Sequence, residues 1–214
     1  MKRNFGGDIK IIVVGNVSTG KTCFVKQWTG GKFVDIYKPT IVSEFGYRQI
    51  EVDNYLYQIQ LWDIAGMDRN HAIAQLFLKD TSGAIILCSS DNEVTLQDTL
   101  KWKEAILDKC SVEQKKMPIL LIQNKEDLVQ EKDKKSMEKR IKKFGEEHDY
   151  VNSFMVSAKT RKNIDEAMNC IIGEIILQLK NNEQRQSNAA LRDMLRYSKI
   201  SESTEKESRE AKCC

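Results

Sequence analysis

Two glycines, a lysine and a threonine stand at fixed spacing in Gly15-Asn16-Val17-Ser18-Thr19-Gly20-Lys21-Thr22. The run fits G-x-x-x-x-G-K-[ST]. Its setting fits too, with an apolar run over 9–14 before it and bulky residues at helical spacing after it. The chemistry served by this pattern is the cradling of a polyphosphate. Gly15 and Gly20 let the backbone turn tightly, so that successive N–H groups across Asn16, Val17, Ser18 and Thr19 point inward. The helix start at Lys21, Thr22 and Cys23 adds unpaired donors and a positive dipole end. Lys21 is long enough to reach β- and γ-phosphates, and the Thr22 hydroxyl suits a Mg²⁺ held by the same oxygens. The loop specifies a nucleoside triphosphate, but neither its base nor its use.

The base is addressed further on. Asn124-Lys125-Glu126-Asp127 follows a buried-looking run, and Ser157-Ala158-Lys159 follows a shorter one. A carboxylate at Asp127 accepts from both guanine N1–H and the exocyclic amine. Adenine presents an acceptor at N1 and no 2-amino group. The two segments together point to a guanine nucleotide.

These residues need strands that end beside one another. Helical spacing runs from Lys21 to about Thr29, where Gly30-Gly31 ends it. Residues 32–43 read as an irregular loop. Alternating segments over 44–52 and 55–62, joined at Asp53-Asn54, read as an antiparallel hairpin, and a loop and helix then run to about Lys79. Beyond it, buried strands at 83–88, 118–123 and 153–156 alternate with helices at 96–107, 132–148 and 163–180. The last helix aligns Ile164, Ala167, Met168, Ile171, Ile175 and Leu179 on one face. This order predicts an α/β fold: a mostly parallel sheet covered on both faces, with ligand loops at the strands' carboxyl ends. After Lys180 the chain turns polar and mixed in charge, which predicts a domain over 1–180 and a flexible tail over 181–214.

Composition narrows the field. The chain has 214 residues, 41% hydrophobic, enough for one sizeable core. A net charge of +3, from 34 basic and 31 acidic residues, is too balanced to argue for nucleic acid. Six cysteines lack metal-type spacing, and Cys88 and Cys170 read as core thiols of a reducing compartment. No signal-peptide pattern opens the chain, and no apolar stretch approaches ~20 residues.

With these motifs in order, the chain resembles the Ras superfamily of small GTPases over nearly all of residues 9–180. The resemblance implies the P-loop GTPase fold, with a six-stranded sheet and one antiparallel edge strand. It implies GTP/GDP as bound nucleotide with Mg²⁺, and nucleotide contacts along the phosphate loop from Gly15 to Cys23 and at Asn124, Lys125, Asp127, Ser157, Ala158 and Lys159. Phe33 would pack edge-on against guanine. Tyr37 and Thr40 would belong to switch I, since Pro39-Thr40-Ile41 is similar to the family's P-T-I. Thr40 would ligate Mg²⁺ and sense the γ-phosphate. Asp63 and Gly66 match D-x-x-G, so Asp63 would hold Mg²⁺ through water and the Gly66 N–H would meet the γ-phosphate. In this reading Lys21, Thr40, Gly66 and position 67 carry the catalytic work.

Within the superfamily the chain is most similar to the Rab branch. Ile41, Glu44 and Phe45 match part of I-G-V-D-F, Leu61-Trp62-Asp63 matches the Rab strand, and Cys213-Cys214 resembles a geranylgeranylation signal. Lys101-Trp102-Lys103 is similar to the Rabs linked to lysosome-related organelles and phagosomes. The resemblance implies a monomer with an exchange factor, an activating protein, effectors on switches I and II, and Rab escort and GDP-dissociation inhibitor proteins. Two prenyl chains would give stable but reversible attachment to the cytosolic face of a vesicle or organelle membrane.

Two departures touch the catalytic machinery. Met67 stands where the family usually has a glutamine that orients the attacking water, and β-branched Val17 crowds the space that glutamine and an arginine finger would use. Neither prevents GTP binding, and both should slow hydrolysis. A GTP-binding membrane scaffold that hardly hydrolyses is therefore the alternative expectation.

Overall fold

The computed structural model describes residues 4–31, 40, 43–65, 77–109, 117–182 and 184. Strand β1 covers Asn4–Gly15, helix α1 Lys21–Trp28, β2 Ser43–Val52, β3 Tyr55–Ile64 and β4 Gly83–Ser89. Helix α2 covers Val94–Lys109, β5 Ile119–Asn124, α3 Glu131–Glu147 and β6 Ser153–Met155, and a last helix, α4, runs over 164–182. One sheet takes the order β2-β3-β1-β4-β5-β6, with every pairing parallel except β2 with β3. The expected α/β sheet with one antiparallel edge strand is the sheet found.

Local chemistry accounts for the boundaries. The hairpin turns at Asp53 and Asn54, both left-handed at φ 51° and 65°, as a two-residue primed turn requires. Helix α1 stops where Gly30 takes φ 92° and the Gly31 N–H returns to the Lys26 carbonyl at 2.7 Å. Strand β1 begins earlier than its apolar run. Its polar start pairs with Tyr55–Gln58 across an irregularity between Phe5 and Gly7, so a neighbouring strand supplies the order that hydrophobicity does not.

Sheet register assigns the faces. Ile12, Ala84 and Ile119 lie across from one another and share a core cluster with Leu96, Trp102 and Ile106 of α2 and Ile141 and Phe144 of α3. The opposite face carries Ile11, Leu61 and Gly83. A side chain built on Gly83 would meet Ile175 Cδ1 at 2.8 Å, and one on Gly46 would meet Thr29 and Val25, which places α4 and α1 there. Burying both faces explains why β1, β4 and β5 are near-continuous isoleucine, valine and leucine. The chain runs leftward from β1 through the hairpin and then crosses to β4 on the right. The carboxyl end of β1 is therefore a switch point, where such sheets bind ligands.

Two side chains differ from expectation. Leu179 is 40% exposed, whereas Ile164, Ala167, Met168, Ile171 and Ile175 on the same face are buried, so burial stops before the helical period does. Cys170 is only half-buried, beside the Asn152 amide, whereas Cys88 is fully buried. Compact units divide at Met1–Ile175 and Ile176–Cys214, and the described part of the second is helical. Among the described residues no helix is long and apolar enough to cross a membrane.

Gly145 sits where α3 presses on β6, and a Cβ there would stand 1.9 Å from Ser153 Oγ. Gly145→Ala is expected to cost about 1–3 kcal/mol in urea unfolding. Adding Ser153→Ala, which deletes the clashing oxygen, is expected to restore a large part of that loss.

Candidate functional site

The phosphate loop joins β1 to α1. Gly15 has φ +140°, and a Cβ on it would fall 2.2 Å from the Leu87 carbonyl oxygen of β4. Gly20 has φ +89°, and a Cβ there would fall 2.3 Å from Asn124 Nδ2. Both positions exclude larger residues, the first by close strand packing and the second by the base-side loop. Ser18 is also left-handed, at φ 63°, and the alternating hand curls the backbone into a concave nest.

Lys21 is 6% exposed, and its Nζ donates to the Gly15 and Asn16 carbonyls at 2.9 Å each. Burial pushes its pKa down to about 8, with Asp63 pulling part of the way back. Asp63, at the end of β3, is fully buried; burial raises its pKa, against the Thr22 hydrogen bond and the Lys21 charge. The Thr22 hydroxyl donates to Asp63 Oδ2 and lies 3.0 Å from Thr40 Oγ1, and Thr40 Oγ1 is 3.5 Å from the same carboxylate oxygen. Asp63 Oδ1 is buried without a hydrogen-bond partner among the described residues. Two hydroxyls and one carboxylate, one of whose oxygens is unpaired among the described residues, form a hard-oxygen set, which fits Mg²⁺. Val17, one residue past Asn16, is 37% exposed.

Asn124 fastens the phosphate side to the base side. Its Nδ2 donates to the Thr19 carbonyl and its Oδ1 accepts the Ala158 N–H, both at 2.9 Å. Ser157 Oγ donates to Asp127 Oδ1 at 2.5 Å and accepts the Thr160 N–H at 3.0 Å, fixing the carboxylate's direction. Lys125 is left-handed at φ 65°, and its Nζ pairs with Asp91 at 2.8 Å. Lys159 is exposed. The phosphate loop, the Thr22–Thr40–Asp63 group and the residues expected to read the base thus converge at the carboxyl ends of the strands. Phe33, Tyr37, Gly66, Met67, Cys213 and Cys214 lie outside the described residues.

Sequence reasoning missed four groups. Asp91 holds Lys125. Glu126, 4% exposed, accepts from Lys162 at 2.8 Å and lies 3.0 Å from Lys134. Asp98 and Trp102 bond the side chain of Asn16. These pairs are 34, 36 and more than 80 residues apart, except for Lys134, so no spacing rule reaches them. The fourth is an aromatic group, Phe45 with Tyr47, Trp62 and Phe77 at centroid distances of 5.2–6.1 Å along the row. Phe45 and Tyr47 are 50% and 59% exposed. The alternation of β2, with both aromatics on one face, was the available signal.

The sequence model of the Ras family matches residues 10–177. Ras-related protein Rab-7L1 of Homo sapiens is 30% identical over 169 residues, covering 78% of this chain and 82% of that protein. Ras-related protein Rab-32 of Homo sapiens is 30% identical over 170 residues, covering 78% and 75%. Ras-related protein Rab-32B of Dictyostelium discoideum is 31% identical over 175 residues, covering 81% and 66%.

The Glu126 cluster predicts a pH effect. Burial alone would raise this carboxyl, but the hydrogen bonds and charges of Lys162 and Lys134 outweigh it and leave the pKa below the ordinary 4.5. A depressed folded pKa stabilises above the unfolded value, and the gain is lost as pH falls through the folded one. Glu126→Gln should therefore cost about 1 kcal/mol at pH 7, the lysines being partly exposed. The deficit should close below pH 4.5 in denaturant titrations run at a series of pH values.

Proposed function

The chain belongs to the Rab family of Ras-related small GTPases, and on that premise we propose that it is a GTP/GDP switch with slow intrinsic hydrolysis, which recruits effectors to an intracellular membrane. The observation that carries the nucleotide reading is the Asn124 amide, which ties the Thr19 carbonyl of the phosphate loop to the Ala158 N–H beside Asp127. A triphosphate cradle and a guanine-reading carboxylate then belong to one rigid pocket.

Each residue has a task in this reading. The loop N–H groups and Lys21 bind the β- and γ-phosphates in a dry site where a fixed positive charge is worth more than in water. Thr22, Thr40 and Asp63 would hold Mg²⁺, which when bound neutralises charge on the phosphate oxygens. Ser157 orients Asp127, and Asp127 selects guanine over adenine by accepting from N1–H and the 2-amino group. Switches 33–46 and 64–80 would be ordered through Thr40 and Gly66 with GTP and released with GDP. The aromatic row, with Phe45 and Phe77 in the two switch ranges and Tyr47 and Trp62 on the strands between them, supports an effector surface there. Exchange factors, activating proteins, escort and GDP-dissociation inhibitor proteins are the partners of such a cycle.

Met67 offers no amide to orient water, and Val17 narrows the space beside the γ-phosphate. Intrinsic hydrolysis in Ras is already only about 10⁻⁴ s⁻¹, so most turnover depends on a partner. An activating protein that brings both an arginine and a glutamine would cover for Met67. The same two residues favour a second reading, a scaffold that stays GTP-loaded and is controlled by exchange or membrane delivery.

Purified full-length protein is expected to bind a fluorescent GTP analogue in a Mg²⁺-dependent way and to hydrolyse GTP more slowly than about 10⁻⁴ s⁻¹ in single turnover. Met67→Gln should raise that rate several-fold. An ordinary rate in the unsubstituted protein would refute the slow-hydrolysis proposal, and nucleotide extracted from cells as mostly GTP would favour the scaffold. The membrane address is tested separately: tagged protein carrying Cys213→Ser and Cys214→Ser should become diffuse in the cytosol. Retained membrane binding would count against a prenyl anchor.

A further inference from the structure

Helix α2 reaches the phosphate loop through one side chain. Asn16 Nδ2 donates to Asp98 Oδ2 at 2.7 Å, and Asn16 Oδ1 accepts from Trp102 Nε1 at 2.9 Å. Asp98 and Trp102 stand four residues apart and so share one face of the helix. A carboxylate only accepts here and an indole N–H only donates, so the amide can face them in one way. The backbone carbonyl of the same residue accepts Lys21 Nζ and Thr19 Oγ1, each at 2.9 Å. The second oxygen of Asp98 accepts from Lys101 at 2.7 Å, a side chain 80% exposed. Trp102 itself is 8% exposed and packs in the core. A polar thread therefore runs from the surface at Lys101, through Asp98 and Asn16, to the ammonium of Lys21.

We propose that Asp98 and Trp102 are positioning residues for phosphate binding: they fix Asn16, whose carbonyl anchors Lys21, and so set how firmly the β-phosphate is held. The inference rests on the guanine-nucleotide reading above and names the helix that tunes it. If the two residues served only to pack α2, their polar atoms would be dispensable so long as the ring remained. The reversible polarity of the Asn16–Asp98 pair separates the roles.

Release of a fluorescent GDP analogue from the full-length protein, with Mg²⁺ present, is the measurement. Asn16→Asp sets two carboxylates against each other while keeping an acceptor for the indole, and should speed release about tenfold. Asn16→Asp combined with Asp98→Asn reverses the pair's polarity and should return release to within about twofold of the unsubstituted rate. Trp102→Phe keeps a packed ring and deletes the N–H; it should speed release about threefold, and it carries the comparison if Asn16→Asp does not fold. GMP competition supplies a readout that general loosening does not move, because GMP lacks the β-phosphate: the GDP-to-GMP affinity ratio should fall in each single variant and recover in the double. Unchanged release in the single variants, no recovery in the double, or equal loss for GDP and GMP would overturn the inference while leaving nucleotide binding intact. Failure of the unsubstituted protein to take up GDP would overturn the nucleotide reading, and this inference with it.

Discussion

The structure depends on an ammonium and a carboxylate held out of water at the carboxyl end of a central strand pair. Lys21 and Asp63 are almost completely buried, and burial works against the charge on each. The protein offsets part of the cost with two carbonyls for the lysine and a threonine hydroxyl for the aspartate. One carboxylate oxygen remains unpaired among the described residues. Buried polar groups left in this condition are costly unless something binds them, which is a reason for such a site to hold an anion and a cation tightly together. The glycines at 15 and 20 belong to the same constraint. They let the loop lie close against β4 on one side and against Asn124 on the other.

The sheet explains why one pocket can have two specialised ends. Strands β1, β3, β4 and β5 finish side by side, and each hands the chain to a loop that carries one part of the site. Asn124, Ser90 and Ser157 tie the phosphate loop and the segments after β4, β5 and β6 to one another. On the proposed reading, such ties are what a nucleotide held at both ends would need. The cross-ties use buried or half-buried atoms, where a hydrogen bond competes less with water.

How much of this could be read from the chain alone follows the range of each interaction. The hairpin was readable because alternation and the Asp53-Asn54 turn are local, and the phosphate loop because its chemistry is packed into consecutive residues. The start of β1 was not, since residues 4–8 owe their extension to partners in β3. Leu179 continued a pattern that burial did not follow, because periodicity reports which face is apolar and not how far the covering surface extends. The second partners of the site, Asp91 for Lys125 and Asp98 with Trp102 for Asn16, arise only when strands and helices are laid beside one another. Ser157 was legible as part of a motif, but its hydrogen bond to Asp127 gives the motif a physical reason.

Helix α2 carries three successive residues with three different duties. Lys101 holds Asp98, Trp102 reaches the phosphate loop, and Lys103 donates to the His148 and Asp149 carbonyls at the end of α3 while lying over the Tyr150 ring at 4.8 Å. Each residue of a helix is turned about 100° from the last, so these duties are separated by angle and not by length. The helix behaves as a keyed shaft. A one-residue insertion or deletion just before Lys101 would leave the composition almost unchanged and would turn Trp102 and Lys103 away from their partners together. The interior of α2 is thereby held to a single rotational setting.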